Sequence, residues 1–394
     1  MIRVVGWDGS ALSPAAVAAL AGATLVVGGG RHLAAVDVPA GAGRVVLGDL
    51  AAGLDALAGH DGDSVVVASG DPGFFGIVRA LRRRGLDFEV LPAVSAVALA
   101  FARLGLAWDD AVVVSAHGRD LGPAVNVCRA HPKVAVLTGP DAGPAELGAA
   151  LSGSDRTMVI GTDLGTPGES VVRCSPADAA GRHWAEPNVG VVLAADSMQR
   201  PAGWLAGAPP APAGWALPET AFEHRDSMVT KSEVRALALA RLGPRLGECV
   251  WDIGAGSGSV AVECARFGAA VVAVEADPAA CELVRANAAA YGVEVRVVPG
   301  RAPAAFAGLP APDAVFVGGG GVEVVRAVVA LDRPRRVVVA LAALDRVAPI
   351  RAALAAAGFA VEGTQLGAAR LVELPDGGTR LAATNPVFLL WGLR

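Results

Sequence analysis

The chain has 394 residues, a formal net charge of −5 and 53% hydrophobic residues, a length that holds two or three domains with real cores. With 33 Lys plus Arg against 38 Asp plus Glu, a nucleic-acid backbone is disfavoured as a partner. No apolar run free of Gly, Pro and charge reaches membrane-span length, and Met1-Ile2-Arg3-Val4-Val5-Gly6 enters a strand without a signal-peptide layout, so a cytoplasmic protein with no membrane contact is expected.

In chain order, Arg3 to Val5 reads as a strand entering Gly6-Trp7-Asp8-Gly9-Ser10, and Leu12-Ser13-Pro14 starts a helix. Thr24 to Val27 is a strand closed by Gly28-Gly29-Gly30-Arg31-His32. Ser64 to Ala68 runs into Ser69-Gly70-Asp71-Pro72-Gly73-Phe74-Phe75-Gly76, and Glu89 to Leu91 into Pro92-Ala93-Val94-Ser95. This alternation predicts an α/β fold with a mostly parallel, doubly covered sheet. After a break around Leu106 to Asp110 the pattern restarts with Val112-Val113-Val114-Ser115-Ala116-His117-Gly118-Arg119. Val134 to Leu137, Thr157 to Ile160 and Val189 to Leu193 follow as strands of a second subdomain. Pro201 to Pro218 contains five prolines and no charge, a semi-stiff linker in which Trp204 and Trp215 are candidates for pinning to a neighbouring surface. The expected domains are 1–200, with subdomains of about 1–108 and 109–200, a linker at 201–218, and 219–394.

The second half is organised by Cys249-Val250-Trp251-Asp252-Ile253-Gly254-Ala255-Gly256-Ser257-Gly258-Ser259: strand, bare glycine turn, helix to Phe267. That order presents backbone N–H groups to a ligand. A strand from Ala270 to Val274 ends in Glu275, 21 positions after Gly254, where a carboxylate accepts from both hydroxyls of a ribose. Asp277-Pro278 caps the next helix, which Gly292 closes. Glu294 to Val298 leads to Gly300-Arg301-Ala302-Pro303, and Asp313 to Val317 opens onto Gly318-Gly319-Gly320-Gly321. Five cysteines without CxxC pairing read as core thiols of a reducing compartment. No Ser-His-Asp order, HExxH or paired-cysteine site points to a covalent catalyst or a metal.

The GxGxG spacing with Glu275 resembles the class I S-adenosylmethionine (SAM) methyltransferases, a Rossmann-like fold. Phe222-Glu223-His224-Arg225-Asp226, Thr230-Lys231-Ser232-Glu233-Val234-Arg235, Pro312-Asp313-Ala314-Val315-Phe316-Val317-Gly318-Gly319 and Asn385-Pro386-Val387 resemble the corrin methyltransferases within it. In the first half, Ser69-Gly70-Asp71-Pro72, Gly29-Gly30-Arg31-His32, Ala102-Arg103-Leu104-Gly105 and Ser115-Ala116-His117-Gly118-Arg119 resemble the two-subdomain tetrapyrrole methylases. Fused in this order, the halves resemble the bifunctional decarboxylating corrin methyltransferases of cobalamin biosynthesis. Two departures stand out. Gly6-Trp7-Asp8-Gly9-Ser10 replaces GxGPG, and Ala93 replaces a glycine whose position would be strained if its φ were positive.

The resemblance implies SAM as cofactor, a precorrin as substrate, methylation at ring carbons 5 and 15 with loss of carbon dioxide from the ring-C acetate, and a homo-oligomer. In the carboxyl half it implies cofactor contacts at Thr230, Asp252, Gly254, Ala255, Gly256, Ser257, Gly258, Glu275, Gly300 and Ala302, with Lys231, Gly318 and Gly319 around the reacting acceptor. In the amino half it implies a cofactor loop at Ser69, Gly70, Asp71 and Ser95, with Arg31, His117 and Arg119 toward the polycarboxylate substrate. Plainer readings stand beside these: Ser69 to Pro72 as a mere turn, His32 and His117 as caps, Thr230 as a helix cap, Lys231 and Arg235 as a solvated helical face, and Arg82-Arg83-Arg84 as a solvated helix end. Two other functions are open: a single C15 methyltransferase whose amino half only binds tetrapyrrole, and an RNA or protein methyltransferase.

Overall fold

The structure, a computed structural model, describes residues 1–195, 206–208, 212–225 and 229–394. It divides into two compact units, Met1–Asp120 with Lys133–Gly207, and Leu121–Pro132 with Ala208–Arg394.

The first unit carries two five-stranded sheets. In one, β1 (Ile2–Trp7), β2 (Leu25–Gly28), β3 (Gly43–Val46), β4 (Ser64–Ser69) and β5 (Phe88–Leu91) lie in the order β3-β2-β4-β1-β5, all parallel. Its valine runs lack polar alternation because both faces are covered. Val65 and Val67 join Val5 and Val26 on one face, whereas Val66 joins Val4 and Val27 on the other. Ser13 and Ser95 cap their helices by accepting from the Ala16 and Ala98 N–H groups, and Pro14 fills a first turn. The expected turn at Gly29–His32 is instead the start of a short helix, Gly30–Ala35, with His32 buried. Ala93 is not among the described non-glycine residues with positive φ, which are Phe75, Asp163 and Ala216. The alanine there carries no left-handed strain.

The second sheet joins β6 (Val112–Ser115), β7 (Lys133–Leu137), β8 (Arg156–Thr162), β9 (Ser170–Cys174) and β10 (Asn188–Ala194) in the order β6-β7-β10-β8-β9. Only β6 and β7 are parallel.

The second unit is built on β11 (Cys249–Ile253), β12 (Ala270–Glu275), β13 (Arg296–Pro299), β14 (Ala314–Val317), β15 (Arg336–Leu341) and β16 (Ala360–Leu366). A hairpin of β17 (Ala369–Glu373) and β18 (Thr379–Ala383) precedes β19 (Val387–Leu393). The seven-stranded order is β13-β12-β11-β14-β15-β19-β16, parallel from β13 to β15, with β19 antiparallel to both neighbours. Val250, Phe316 and Val338 face one buried layer, and Trp251, Val315 and Val339 the other. The strand order reverses between β12 and β14 on either side of β11, and the glycine turn leaves β11 at that switch point.

Trp204 and Asp226 lie outside the described residues. Trp215 is exposed and meets the Phe267 ring at 6.3 Å between centroids, while the Ala216 and Leu217 N–H groups donate to the Glu263 carboxylate at 2.8 and 3.0 Å. The far end of the proline-rich stretch is therefore fastened to the second unit. None of the five cysteines forms a disulfide, and Cys128, Cys249, Cys264 and Cys281 are buried. No helix among the described residues is long and apolar enough to cross a membrane.

Candidate active sites

In the second unit the three alternate glycines share one backbone state. Gly254, Gly256 and Gly258 have φ of 72°, 56° and 74°, a left-handed region that side chains resist. Gly258 caps the helix Ser259–Arg266. A Cβ at Gly254 would stand 3.0 Å from the Gly319 nitrogen, and one at Gly318 would stand 3.2 Å from the Gly254 oxygen. The glycine ends of β11 and β14 thus lie backbone against backbone. Gly254 and Gly318 remain exposed, which leaves bare main chain for a ligand.

Glu275 closes one side of this turn. Its Oε2 accepts the Gly256 N–H at 2.8 Å, and Oε1 accepts those of Ala276 and Asp277 at 2.7 and 2.9 Å. Asp252 lies beneath. It is 1% exposed, its Oδ2 accepts the Ala261 N–H at 2.9 Å, and its Oδ1 has no partner among the described residues. Burial raises its pKa to about 7, with the Glu275 charge adding to the rise. Its position makes Asp252 a staple between β11 and the following helix. Ser257 is buried, and its carbonyl accepts from Asn287 Nδ2 at 2.8 Å. Gly300, with φ 154°, donates to the Glu275 carbonyl at 2.8 Å, and Ala302 packs against the core beside β12.

Thr230 does not cap the helix Ser232–Leu242. Lys231 holds the N-cap position, without a side-chain bond to the helix, and the Thr230 carbonyl accepts from Arg235. The solvated face expected of Lys231 and Arg235 fails at Arg235. That residue is fully buried and pairs with fully buried Glu263 at 2.7 Å, while its guanidinium also reaches the Leu217 carbonyl. Its place in the helix could have revealed this, since Arg235 precedes Ala238, Leu239 and Leu242 by three, four and seven residues on the apolar stripe. Asn287 was also missed. It follows Val284 by three residues and Ala280 by seven, and holds Glu223 through both its N–H and its carbonyl.

In the first unit a cleft of about 900 Å³ gathers all seven residues expected there: Arg31, Ser69, Gly70, Asp71, Ser95, His117 and Arg119. It opens at the carboxyl ends of β1 and β4 in one sheet and of β6, β7 and β8 in the other. Each sheet presents one arginine fixed by a serine at a strand end. Arg31 Nη2 donates to Ser69 Oγ at 2.7 Å, and Arg119 Nη1 to Ser115 Oγ at 2.7 Å. His32, which is no cap, stands 3.0 Å from Ser69 Oγ through Nε2. Burial, and then the Arg31 charge, pushes its pKa down to about 4, so it is neutral near pH 7. His117 Nδ1 is 3.1 Å from the Thr138 carbonyl, Asp71 Oδ1 accepts the Gly73 N–H at 2.8 Å, and Ser95 spends its hydroxyl as a helix cap. Gly6 is obligatory at this floor, because a Cβ there would meet the Gly70 oxygen at 2.2 Å.

Comparison with known proteins adds two family matches. Residues 6–180 match the tetrapyrrole (corrin/porphyrin) methylases, and residues 220–376 the precorrin methyltransferase domain. A Sinorhizobium protein named precorrin-6Y C(5,15)-methyltransferase (decarboxylating) is 39% identical over 81% of this chain and 78% of its own. Two shorter relatives each match less than half. A Pyrobaculum calidifontis protein named "Probable cobalt-precorrin-6B C(15)-methyltransferase (decarboxylating)" is 37% identical over 44% of this chain and 93% of its own. A Salmonella typhimurium protein named cobalt-precorrin-7 C(5)-methyltransferase is 36% identical over 43% of this chain and 89% of its own.

Proposed function

The chain belongs to the precorrin-6Y C(5,15)-methyltransferase (decarboxylating) family, and from that premise we propose a bifunctional enzyme that methylates a precorrin at carbons 5 and 15 and removes carbon dioxide from its ring-C acetate. The carboxyl unit is assigned carbon 15 and the decarboxylation, and the amino unit carbon 5. Relatives that match four fifths of the chain favour this over an amino half that only binds tetrapyrrole. The names of the two shorter relatives divide the reactions in the same way.

The single observation that carries the reading is the left-handed glycine turn lying against Gly318 and Gly319, with the Glu275 carboxylate beside it. These residues fit SAM, whose polar groups need close approach to main chain and whose ribose needs an acceptor. Gly254, Ala255, Gly256, Ser257 and Gly258 would hold it through backbone, Glu275 through its ribose hydroxyls, and Gly300 and Ala302 at the adenine edge. Thr230 would stand at the amino-acid end. Asp252 acts from below by fixing the turn. SAM supplies a methyl group made electrophilic by its sulfonium.

What the chain contributes is position. Holding a ring carbon in line with a donor replaces a bimolecular encounter, an effect of about 7–11 kcal/mol in the best intramolecular cases. Loss of carbon dioxide needs an electron sink, which the conjugated macrocycle provides when protonated. The protein's share is to shelter the acetate from water and deliver a proton, and Lys231 with Gly318 and Gly319 are our assignment for that place. In the amino cleft, Ser69, Gly70, Asp71 and Ser95 are assigned to the cofactor side, and Arg31, His117 and Arg119 to the substrate's carboxylates.

Calorimetry with SAM tests the count of sites, and two per chain are expected. Incubation with precorrin-6Y and SAM should give a product heavier by two methyl groups and lighter by one carbon dioxide. One SAM per chain together with a single added methyl would leave the amino unit a binding module.

A further inference from the structure

The amino cleft contains an aromatic ring that neither the cofactor assignment nor the carboxylate assignment uses. Phe75 lines the cleft with 44% of its surface exposed, and its φ is 55°. A bulky side chain adopts that left-handed state only under constraint, and such residues cluster at binding sites. The constraint is built into the loop after β4. Gly70 donates to the Trp7 carbonyl at 2.7 Å, Phe74 donates to that of Asp71 at 3.0 Å, and a Cβ at Gly76 would meet the Pro72 oxygen at 2.4 Å. The Phe74 ring stands edge-on behind Phe75, 5.0 Å between centroids, and itself packs on the buried cluster of Val97 and Phe101. The exposed ring is therefore propped from inside and has little freedom to turn away.

Arg119 flanks it. The guanidinium carbon lies 6.0 Å from the Phe75 centroid, and its hydrogen bonds go to neutral oxygens, Ser115 Oγ at 2.7 Å and the His117 carbonyl at 3.3 Å. Those bonds orient the fork without neutralising its charge. A flat apolar face beside a fixed guanidinium suits a ligand that is planar, conjugated and anionic at its edge. The guanidinium's fixed positive charge repels a sulfonium cation placed beside it.

We propose that Phe75 and Arg119 form the docking face for the tetrapyrrole in the amino cleft: the ring receives the conjugated face of the macrocycle, and the guanidinium receives one of its peripheral carboxylates. The proposal rests on the assignment of carbon-5 methylation to this unit. It goes further in separating this face of the cleft from the cofactor side and in naming Phe75 as the residue that selects a conjugated ring.

The test uses the full chain with precorrin-6Y and methyl-labelled SAM, reading the carbon-5 and carbon-15 methyl groups separately by carbon NMR. Phe75→Gly is the informative variant, because glycine is at ease at this φ and the loop keeps its shape without the ring. The expected result is a rise of about ten-fold or more in KM for the precorrin at the carbon-5 step, equivalent to about 1.4 kcal/mol. kcat, KM for SAM and the carbon-15 step should stay within about two-fold, on the rule that loss of uniform binding raises KM alone. Phe75→Trp should restore most of the affinity, and Arg119→Ala should raise the same KM more than Arg119→Lys. Unchanged precorrin KM in Phe75→Gly, or a rise in KM for SAM in its place, overturns the proposal. If the wild-type chain adds no methyl at carbon 5, the functional assignment fails by itself. Precorrin binding without SAM, followed by tetrapyrrole absorbance in wild type and Phe75→Gly, then decides the docking face: weaker binding in the variant supports it, and equal binding overturns it.

Discussion

At the residue scale, a buried carboxyl and a buried ion pair in the carboxyl unit set measurable behaviour. Asp252 keeps its proton in the folded state up to about pH 7, whereas an unfolded chain releases it near the ordinary 3.8. Between those values the native state binds more protons, so this group makes stability fall as pH rises through the window. The slope is about 1.4 kcal/mol per pH unit for one fully coupled group. Asp252→Asn retains an oxygen for the Ala261 N–H and removes the slope, which urea unfolding of both proteins at about pH 5 and about pH 7 will show as convergence at the lower pH. Glu219, held down to about 2 chiefly by its bonds to Arg370, stabilises the fold above 4.5 and loses that effect only as pH falls toward 2. It leaves the interval from about pH 5 to about pH 7 untouched. Arg235 and Glu263, both at 0% exposure, make the other case. Arg235→Ala removes the buried partner of a carboxylate left with the Ala216 and Leu217 N–H groups and, at 3.6 Å, Arg266, and should cost about 3–5 kcal/mol of unfolding free energy, whereas Arg235→Met with Glu263→Leu should cost less. Equal losses in the two proteins would mean that the pair is no more than packing.

At the scale of elements, burial decided what the sequence disclosed. Strands β1, β4, β11, β12 and β14 are apolar runs closed by turn residues, glycine after β4, β11 and β14 and Asp277-Pro278 after β12, so their existence was legible and their ends fell within two residues. Asp277-Pro278 and Ser13-Pro14 likewise marked helix starts correctly, because a cap and a fixed φ are local devices. What escaped notice is what has little local signature. β3, of sequence Gly43–Val46, is largely exposed at a sheet edge, and β17 and β18 alternate without a buried face, Leu371 and Leu381 standing 76% and 64% exposed. Their order comes from a distant residue. Arg370 on β17 grips Glu219 through Nη1 and Nη2 at 2.9 and 2.8 Å and Glu233 at 2.6 Å, contacts separated by more than a hundred positions. The candidate sites split along the same line. Glycine turns and the acidic residue after them were visible as motifs, whereas Arg235, Asn287 and Phe75 owe their roles to what surrounds them. An isolated two-stranded hairpin is marginal in water, so Arg370→Met should raise amide exchange in 369–383 by ten-fold or more, about 1.4 kcal/mol of lost docking, and leave exchange in β11 unchanged. Exchange unaltered in the hairpin would show that other contacts hold it.

At the scale of the whole molecule, two sites of different build share one chain, and the assigned division of labour makes them separable by lesion. Gly256→Val places a β-branched residue at φ 56°, a state it resists, in the turn assigned to SAM in the carboxyl unit. The full chain carrying it should bind one SAM fewer and lose carbon-15 methylation. It should also release no carbon dioxide, because the same cleft is assigned both the methyl transfer and the shelter of the acetate. The reciprocal lesion, Arg31→Ala with Arg119→Ala, removes two exposed cleft side chains that are fixed to serine hydroxyls and should leave the fold of the amino unit in place. That protein should form a product heavier by one methyl and lighter by one carbon dioxide, identified by mass spectrometry. The coupling is the discriminating feature. If decarboxylation followed from ring methylation alone, wherever the methyl was added, the arginine lesion would slow it as much as the glycine lesion does. Carbon dioxide release that survives Gly256→Val but fails in the arginine double variant would move the decarboxylation to the amino cleft and refute the assignment.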